Sequence, residues 1–409
     1  MNILYINHYA GSPEMGMEFR PYYMAREWTE MGHNVTIISG DYSHLRRKNP
    51  KVKSDLEEEY IDGIHYLWIK SGHYKGNGIK RAISMFRFVY KIYSKAKYIA
   101  ESLNPNIIIT SSTYPIDTYA GQKIKKYFPD ARLVHEIHDM WPITLIEIGN
   151  MKKHNPFVQI MQGGENSFCK NSDYVCSLLP NTKDYLIRHG MAPEKFFHVS
   201  NGIVEEEWIN PMPLPEKHRK VLTDLKEQGY FIICFFGSHT KSYNLEYLID
   251  AVKDCENKVA AVFIGNGIYK DELIEISRGL SNIVFLDSVP KQSIPSLFDY
   301  IDVTYVSAVD NDMFRFGICM NKLFDSMMGG KPILYAVNAP NNYIIDYHCG
   351  VSVKPCDTEA LMEGIKELLS LSNEEKRKMG ENGRMAVMKN FTYSNLAKKF
   401  IEKVGGANS

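Results

Sequence analysis

Five stretches pair a glycine or a histidine with charged side chains just past an apolar run, the arrangement that an anionic small-molecule ligand needs. In FRFGICMNKLFDSMMGGKPIL (314–334), Gly317 opens a turn, Asn321 and Lys322 stand at a helix head and Asp325 follows within the first turn or so. A glycine loop turns backbone N–H groups toward a phosphate, the helix dipole adds positive potential, and a carboxylate there accepts from ribose hydroxyls. In FFGSHTKSYNLEYLIDAV, Gly237 ends a run and Lys241 follows before a helix expected near Asn244, which suits a pyrophosphate. VFIGNGIYKDELIEI places Gly265 and Gly267 where a backbone could pack beside a nucleoside. HYAGSPEMGMEFRPYYMAREW offers Gly16 and, from Met17 onward, a helix start; it lacks the GxGxxG fingerprint, which removes support for a dinucleotide. VHEIHDMWPITL sets His138 and Asp139 at a strand end. Asp310-Asn311-Asp312 also spells a DxD metal motif, but it follows the fourth run of the second half, and charge stabilisation by lysines and a helix dipole without metal is the expectation.

These residues need strands that end together and helices that begin there. Apolar runs NILYIN, NVTIIS, IHYLWI, NIIIT, RLVHEI and DYVCSLL, then FIICFFG, VAAVFIG, NIVFLD, DVTYVS, PILYAV and GVSVKP, alternate with helical stretches. That alternation predicts an α/β chain with two parallel sheets. The proline-broken segment NGIVEEEWINPMPLPEKHRK reads as an interdomain connection. It divides the chain into expected domains 1–205 and 206–390, with residues 391–409 as a terminal helix that could cross back.

Length and charge bound the function. A chain of 409 residues exceeds one ordinary core. Its 48 basic and 48 acidic side chains give no global field for nucleic acid, so no nucleic-acid partner is expected. Seven cysteines without a CxxC pair suit reduced thiols, and the polar amino-terminal run lacks a secretory pattern, so a cytoplasmic location is expected.

Taken in order, the motifs resemble family 4 of the nucleotide-sugar glycosyltransferases, which have the GT-B fold of two facing Rossmann-like domains. VSNGI is similar to the family's linker, GNGIYKDELIEI to its GxGxxxxxLxxL, FLDSVPKQSIPSLFDYIDV to its FxGxVxxxxxxxxxxxaDv and FGICMNKLFDSMMGGKPI to its FGxPxLEAMAxGxPV. The Asn-Lys-Leu-Phe-Asp variant resembles the bacterial fucosamine transferase subgroup of surface-polysaccharide synthesis. The resemblance implies a UDP-sugar as substrate with no other cofactor, a retaining reaction and a donor site that includes Val289, Gly237, Gly265, Gly267, Gly16, Met17, Arg315, Gly317, Ile318, Asn321, Lys322 and Leu323. It implies that Asp325 meets ribose, that His138 supports the sugar and that Lys241 is the diphosphate cation, shared with Lys322 or Arg315. Three positions depart from the pattern. Gly317 occupies the place of the first motif acid, leaving Asp310 or Asp312 for it; Ser238 replaces an arginine; and the motif proline is absent.

The implied acceptor is a growing O-antigen or capsule saccharide on undecaprenyl diphosphate. KGNGIKRAISMFRFVYKIYSKAKYI carries Lys80, Arg87, Lys91 and Lys95 beside Ile79, Ile83, Phe86, Tyr90 and Tyr93, a basic amphipathic helix that would lie peripherally on the inner face of the cytoplasmic membrane. A long core helix with a solvated basic face is the competing expectation. Rival functions are a GT-B UDP-N-acetylglucosamine epimerase and a non-catalytic nucleotide-sugar binding protein.

Overall fold

β-Branched apolar runs too short for helices build two sheets, and the helices between them cover the faces. The computed structural model describes residues 1–16, 19–253, 255 and 258–406. Met17 therefore lies outside the described residues. The chain divides into two units: residues up to Ser200 together with the segment from Tyr393, and Asn201–Thr392. The change-over falls at 200/201, five residues before the expected boundary. Residues of the presumed connection join the second unit, because Trp208 packs on Phe298 at 5.6 Å between ring centroids and Leu214 is buried in that unit's core.

In the first unit, β1 (Asn2–Ile6), β2 (Asn34–Gly40), β3 (Glu57–Ile61), β4 (Ile64–Ile69), β5 (Ile107–Thr110), β6 (Arg132–Ile137), β7 (Tyr174–Ser177) and β8 (Phe196–His198) form a sheet in the order β3-β4-β2-β1-β5-β6-β7-β8. Only the β3–β4 pair is antiparallel. β3 and β8 are additions to the expected strands. EEEYI is largely exposed and has no apolar run to announce it, though the Asp62-Gly63 turn that joins it to β4, both residues at positive φ, is a hairpin signal.

In the second unit, β9 (Phe231–Phe236), β10 (Val259–Ile264), β11 (Ile283–Leu286), β12 (Val303–Ser307), β13 (Ile333–Ala336) and β14 (Gly350–Ser352) are all parallel, in the order β11-β10-β9-β12-β13-β14. The order reverses between β9 and β12. Such a switch point parts the loops on either side and leaves a crevice at the strands' carboxyl ends.

Helix Asn373–Asn390 closes the second unit and helix Tyr393–Gly405 packs on helix Phe19–Glu30 of the first. There Trp28 Nε1 donates to the Ala397 carbonyl at 3.1 Å, and Trp28 and Phe400 rings meet at 5.1 Å.

Candidate functional site

At the switch point of the second unit, the end of β9 bends through Gly237 (φ +139°) against Gly265 (φ +149°) at the end of β10. A Cβ on Gly265 would fall 1.8 Å from the Gly237 carbonyl oxygen, and one on Gly267 would fall 2.1 Å from that of His239. These two glycines therefore serve the fit between neighbouring backbones at the strand ends. Gly237, Ser238, Gly265, Asn266, Ser288 and Val289 line a cavity of about 320 Å³. The loops after β9 and β12 are tied together by Ser307 Oγ donating to the Tyr243 carbonyl at 2.6 Å and by Val309 N–H donating to that of Ser242 at 2.8 Å.

Helix Asn321–Met328 starts beside this bend and carries the two charged residues expected there. Lys322 folds back so that Nζ lies 2.9 Å from where a Gly237 Cβ would be. It sits over the Tyr243 ring at 3.4 Å and the Phe235 ring at 4.0 Å. Nζ is shielded from solvent and meets no hydrogen-bond partner among the described residues; burial lowers its pKa to about 7. Asp325, one turn on, has its pKa raised to about 6, chiefly by burial, with Lys291 lowering and Glu207 raising it. Lys291 and Glu207 are themselves paired at 3.1 Å.

Other expected residues stand differently. Lys241 is 73% exposed, pairs with Glu272 at 3.5 Å and lies over Tyr269, so its amine is turned toward that surface pair. The helix expected at Asn244 begins at Glu246, because Asn244 takes a left-handed turn (φ +46°). The backbone after Gly317 is already spoken for at Ile318, whose N–H and carbonyl both bond the Asn341 side chain, at 2.9 and 2.8 Å. Leu323 is fully buried in the core, with its N–H on the Met320 carbonyl, so neither residue offers the ligand a backbone group in the way expected. Asn321 is exposed at the helix start. Arg315 lies on the surface, one guanidinium nitrogen on the Asp312 carbonyl at 2.7 Å. Asp310 and Asp312 are exposed, and Asp310 accepts from Asn338 at 3.1 Å. Among the described residues no three His, Cys, Asp or Glu side chains gather as metal ligands.

In the first unit, Gly16 (φ +68°) closes a turn on the Ser12 carbonyl beside Arg47. His138, just past β6, sits over a buried network that the motif reading left out. Its Nε2 is 2.8 Å from Ser111 Oγ and 3.0 Å from Glu136 Oε2. Glu136 also accepts from Tyr5 Oη and Ser111 Oγ, each at 2.6 Å, while its other oxygen accepts from Arg20 Nη2 at 2.8 Å. Burial alone would raise the carboxyl's pKa, yet Arg20 and His138 hold it well below the usual range. A carboxylate fixed on one imidazole nitrogen orients the ring, the role such an acid plays behind catalytic histidines. The signal was present: in HEIHD, Glu136 and His138 are two apart, the spacing that puts neighbours on one side of an extended chain. Arg20, on a helix far off in sequence, had none.

Two parallel-sheet units, each with its polar groups at the strands' carboxyl ends, define an α/β protein of the GT-B class. Residues 15–207 match Glycosyltransferase Family 4 and residues 216–386 match Glycosyl transferases group 1. The chain is thus made of two glycosyltransferase family domains. Sucrose-phosphate synthase from Thermosynechococcus elongatus is similar over 97% of this chain and 96% of its own, with a TM-score of 0.70 at 15% identity. Anabaena HepE in complex with UDP and glucose is similar over 99% and 100%, at 0.66 and 15%. WaaG, a glycosyltransferase involved in lipopolysaccharide biosynthesis, is similar over 99% and 100%, at 0.63 and 14%. No curated protein sequence matches the chain.

Proposed function

We propose that the protein is a retaining glycosyltransferase that moves a sugar from a UDP-sugar to a lipid-linked saccharide of an O-antigen or capsule. The observation that carries this reading is the cavity at Gly237 and Val289, with a shielded lysine amine at its bend. The cavity's volume of about 320 Å³ supports a nucleoside there, and Asp325 on the adjoining helix would accept from ribose hydroxyls. UDP in the HepE complexes supports uracil as the base. Subgroup resemblance favours an N-acetylated deoxyhexosamine such as N-acetyl-L-fucosamine as the sugar.

In the proposed reaction the bond from the sugar's anomeric carbon to the diphosphate breaks as the acceptor hydroxyl bonds to that carbon from the same face. The departing phosphate oxygen takes the hydroxyl proton, so no strong protein base is required. Rate then comes from positioning and from charge stabilisation of the leaving group, without metal. His138, oriented by Glu136, would hold sugar hydroxyls. Helix Ile79–Ser94 would rest on an anionic membrane surface: Ile79, Ile83, Phe86, Tyr90 and Tyr93 are exposed, while Met85, Phe88, Val89 and Ile92 form its core face. Lys80 is exposed and available to headgroups, whereas Lys91 pairs with Asp55 at 2.9 Å, Arg87 donates to the Ser71 carbonyl at 3.3 Å and Lys95 is half-buried. Among the described residues no helix is long and apolar enough to cross a membrane.

Thermal-shift titration with UDP, GDP, CDP and TDP, with and without EDTA, tests the donor assignment, since a ligand of the folded state raises Tm by mass action. A shift with UDP that survives EDTA is expected; a flat response to all four contradicts it.

A further inference from the structure

The bend at Gly237 has few donors left for an anion. Gly237 N–H donates to the Ile264 carbonyl at 2.9 Å and His239 N–H to that of Asn266 at 3.0 Å, so the loop's amides are largely consumed by the end of β10. Lys241 is engaged on the surface by Glu272. Ser238 brings no charge. A cationic group that faces the bend is Lys322 Nζ, shielded and without a hydrogen-bond partner among the described residues.

We infer that Lys322 is the cation that seats the donor's diphosphate in this chain, and that it takes up a proton from solvent as the anion binds. The inference deepens the donor-site reading above and rests on it.

A buried amine with no carboxylate beside it is costly to charge even over two aromatic faces, and a diphosphate arriving beside it supplies the missing counter-charge. The groups around it agree. Phe235 of β9 is neutral, and burial pushes the pKa of Tyr243 up, so its phenol remains uncharged. His239, fully buried, has its pKa lowered to about 4 by burial and then by Lys270 and Lys322, so it too is uncharged near neutrality. Both its ring nitrogens lack partners among the described residues. On its own helix the nearest acid is Asp325, one turn away, whose charged neighbours are Lys291 and Glu207. No acid on these elements is placed to neutralise the ammonium, which leaves that task to the ligand.

Titration calorimetry of the full chain with UDP tests this. At about pH 8, well above the ~6 of a terminal phosphate, UDP itself gains no proton, so a difference in apparent enthalpy between Tris and phosphate-free HEPES counts protons taken up by the protein. Wild type is expected to bind with uptake approaching about one proton; Lys322→Met should lose the uptake and at least about tenfold in affinity, and Lys241→Met should retain both. Thermal melting of each variant confirms folding. UDP binding without uptake, uptake that survives in Lys322→Met, or loss confined to Lys241→Met would overturn the inference while leaving the donor site standing. No UDP binding by wild type would overturn the donor-site reading, and the inference with it.

Discussion

At the scale of residues, the two polar centres are built on opposite principles. Glu136 is a buried charge whose interactions are all made: Arg20, Tyr5, Ser111 and His138 surround it. Removing it leaves Arg20 buried and uncompensated, so Glu136→Ala should destabilise the first unit by about 3–5 kcal/mol in urea unfolding; a midpoint unchanged from wild type would refute the assignment. Lys322 is a buried amine with no hydrogen-bond partner among the described residues, so without ligand it should cost stability. Its pKa of about 7 in the folded protein against 10.5 as the unperturbed value means that the unfolded chain binds the extra proton between those limits. Stability conferred by this site therefore rises with pH across that window. Lys322→Met should melt higher than wild type at pH 7, by at least about 2–4 °C, with the gain shrinking toward pH 10; an equal or lower melting point at pH 7 would argue that the amine is solvated.

At the scale of elements, what was legible and what was not divide along physical lines. The six strands of the second unit and six of the eight in the first were announced by apolar runs, because a parallel strand covered on both faces needs a continuous one. β3 was not, since an antiparallel edge strand with one solvated face needs no such run. The site motifs located the loops but not the direction of side chains. Lys241 and Lys322 both border the Gly237 bend in sequence logic, and only packing against Tyr243 and Phe235 distinguishes them. Asn341 closing the backbone of Ile318 depends on a contact between distant residues that no spacing reveals. Helix Ile79–Ser94 shows the same limit: its two apolar stripes are indistinguishable by period, yet one is core and the other exposed. The membrane reading belongs to the exposed one. Ile79, Ile83 and Tyr90 replaced together by Ser should cut co-sedimentation with anionic vesicles about tenfold or more while leaving the melting temperature near wild type; unchanged sedimentation would reject it.

At the scale of the whole molecule, the chain closes its first unit with its last helix. Phe400 is fully buried, and its ring meets Trp28 at 5.1 Å and Phe197 at 5.3 Å. Phe400→Ala should cost about 3–5 kcal/mol in urea unfolding of the first unit, and a loss below about 1 would mean that the helix docks weakly. That connectivity makes the domain boundaries, but not the chemistry, dependent on the C-terminal residues. The proposed chemistry requires that the donor lie in the second unit at the ends of β9 and β10. Photolabelling with 5-azido-UDP-glucose followed by peptide mapping tests this most directly. Label on the peptides around Gly237 and Ser288-Val289, competed by unlabelled UDP, is the predicted result; competable label confined to the first unit would contradict the account.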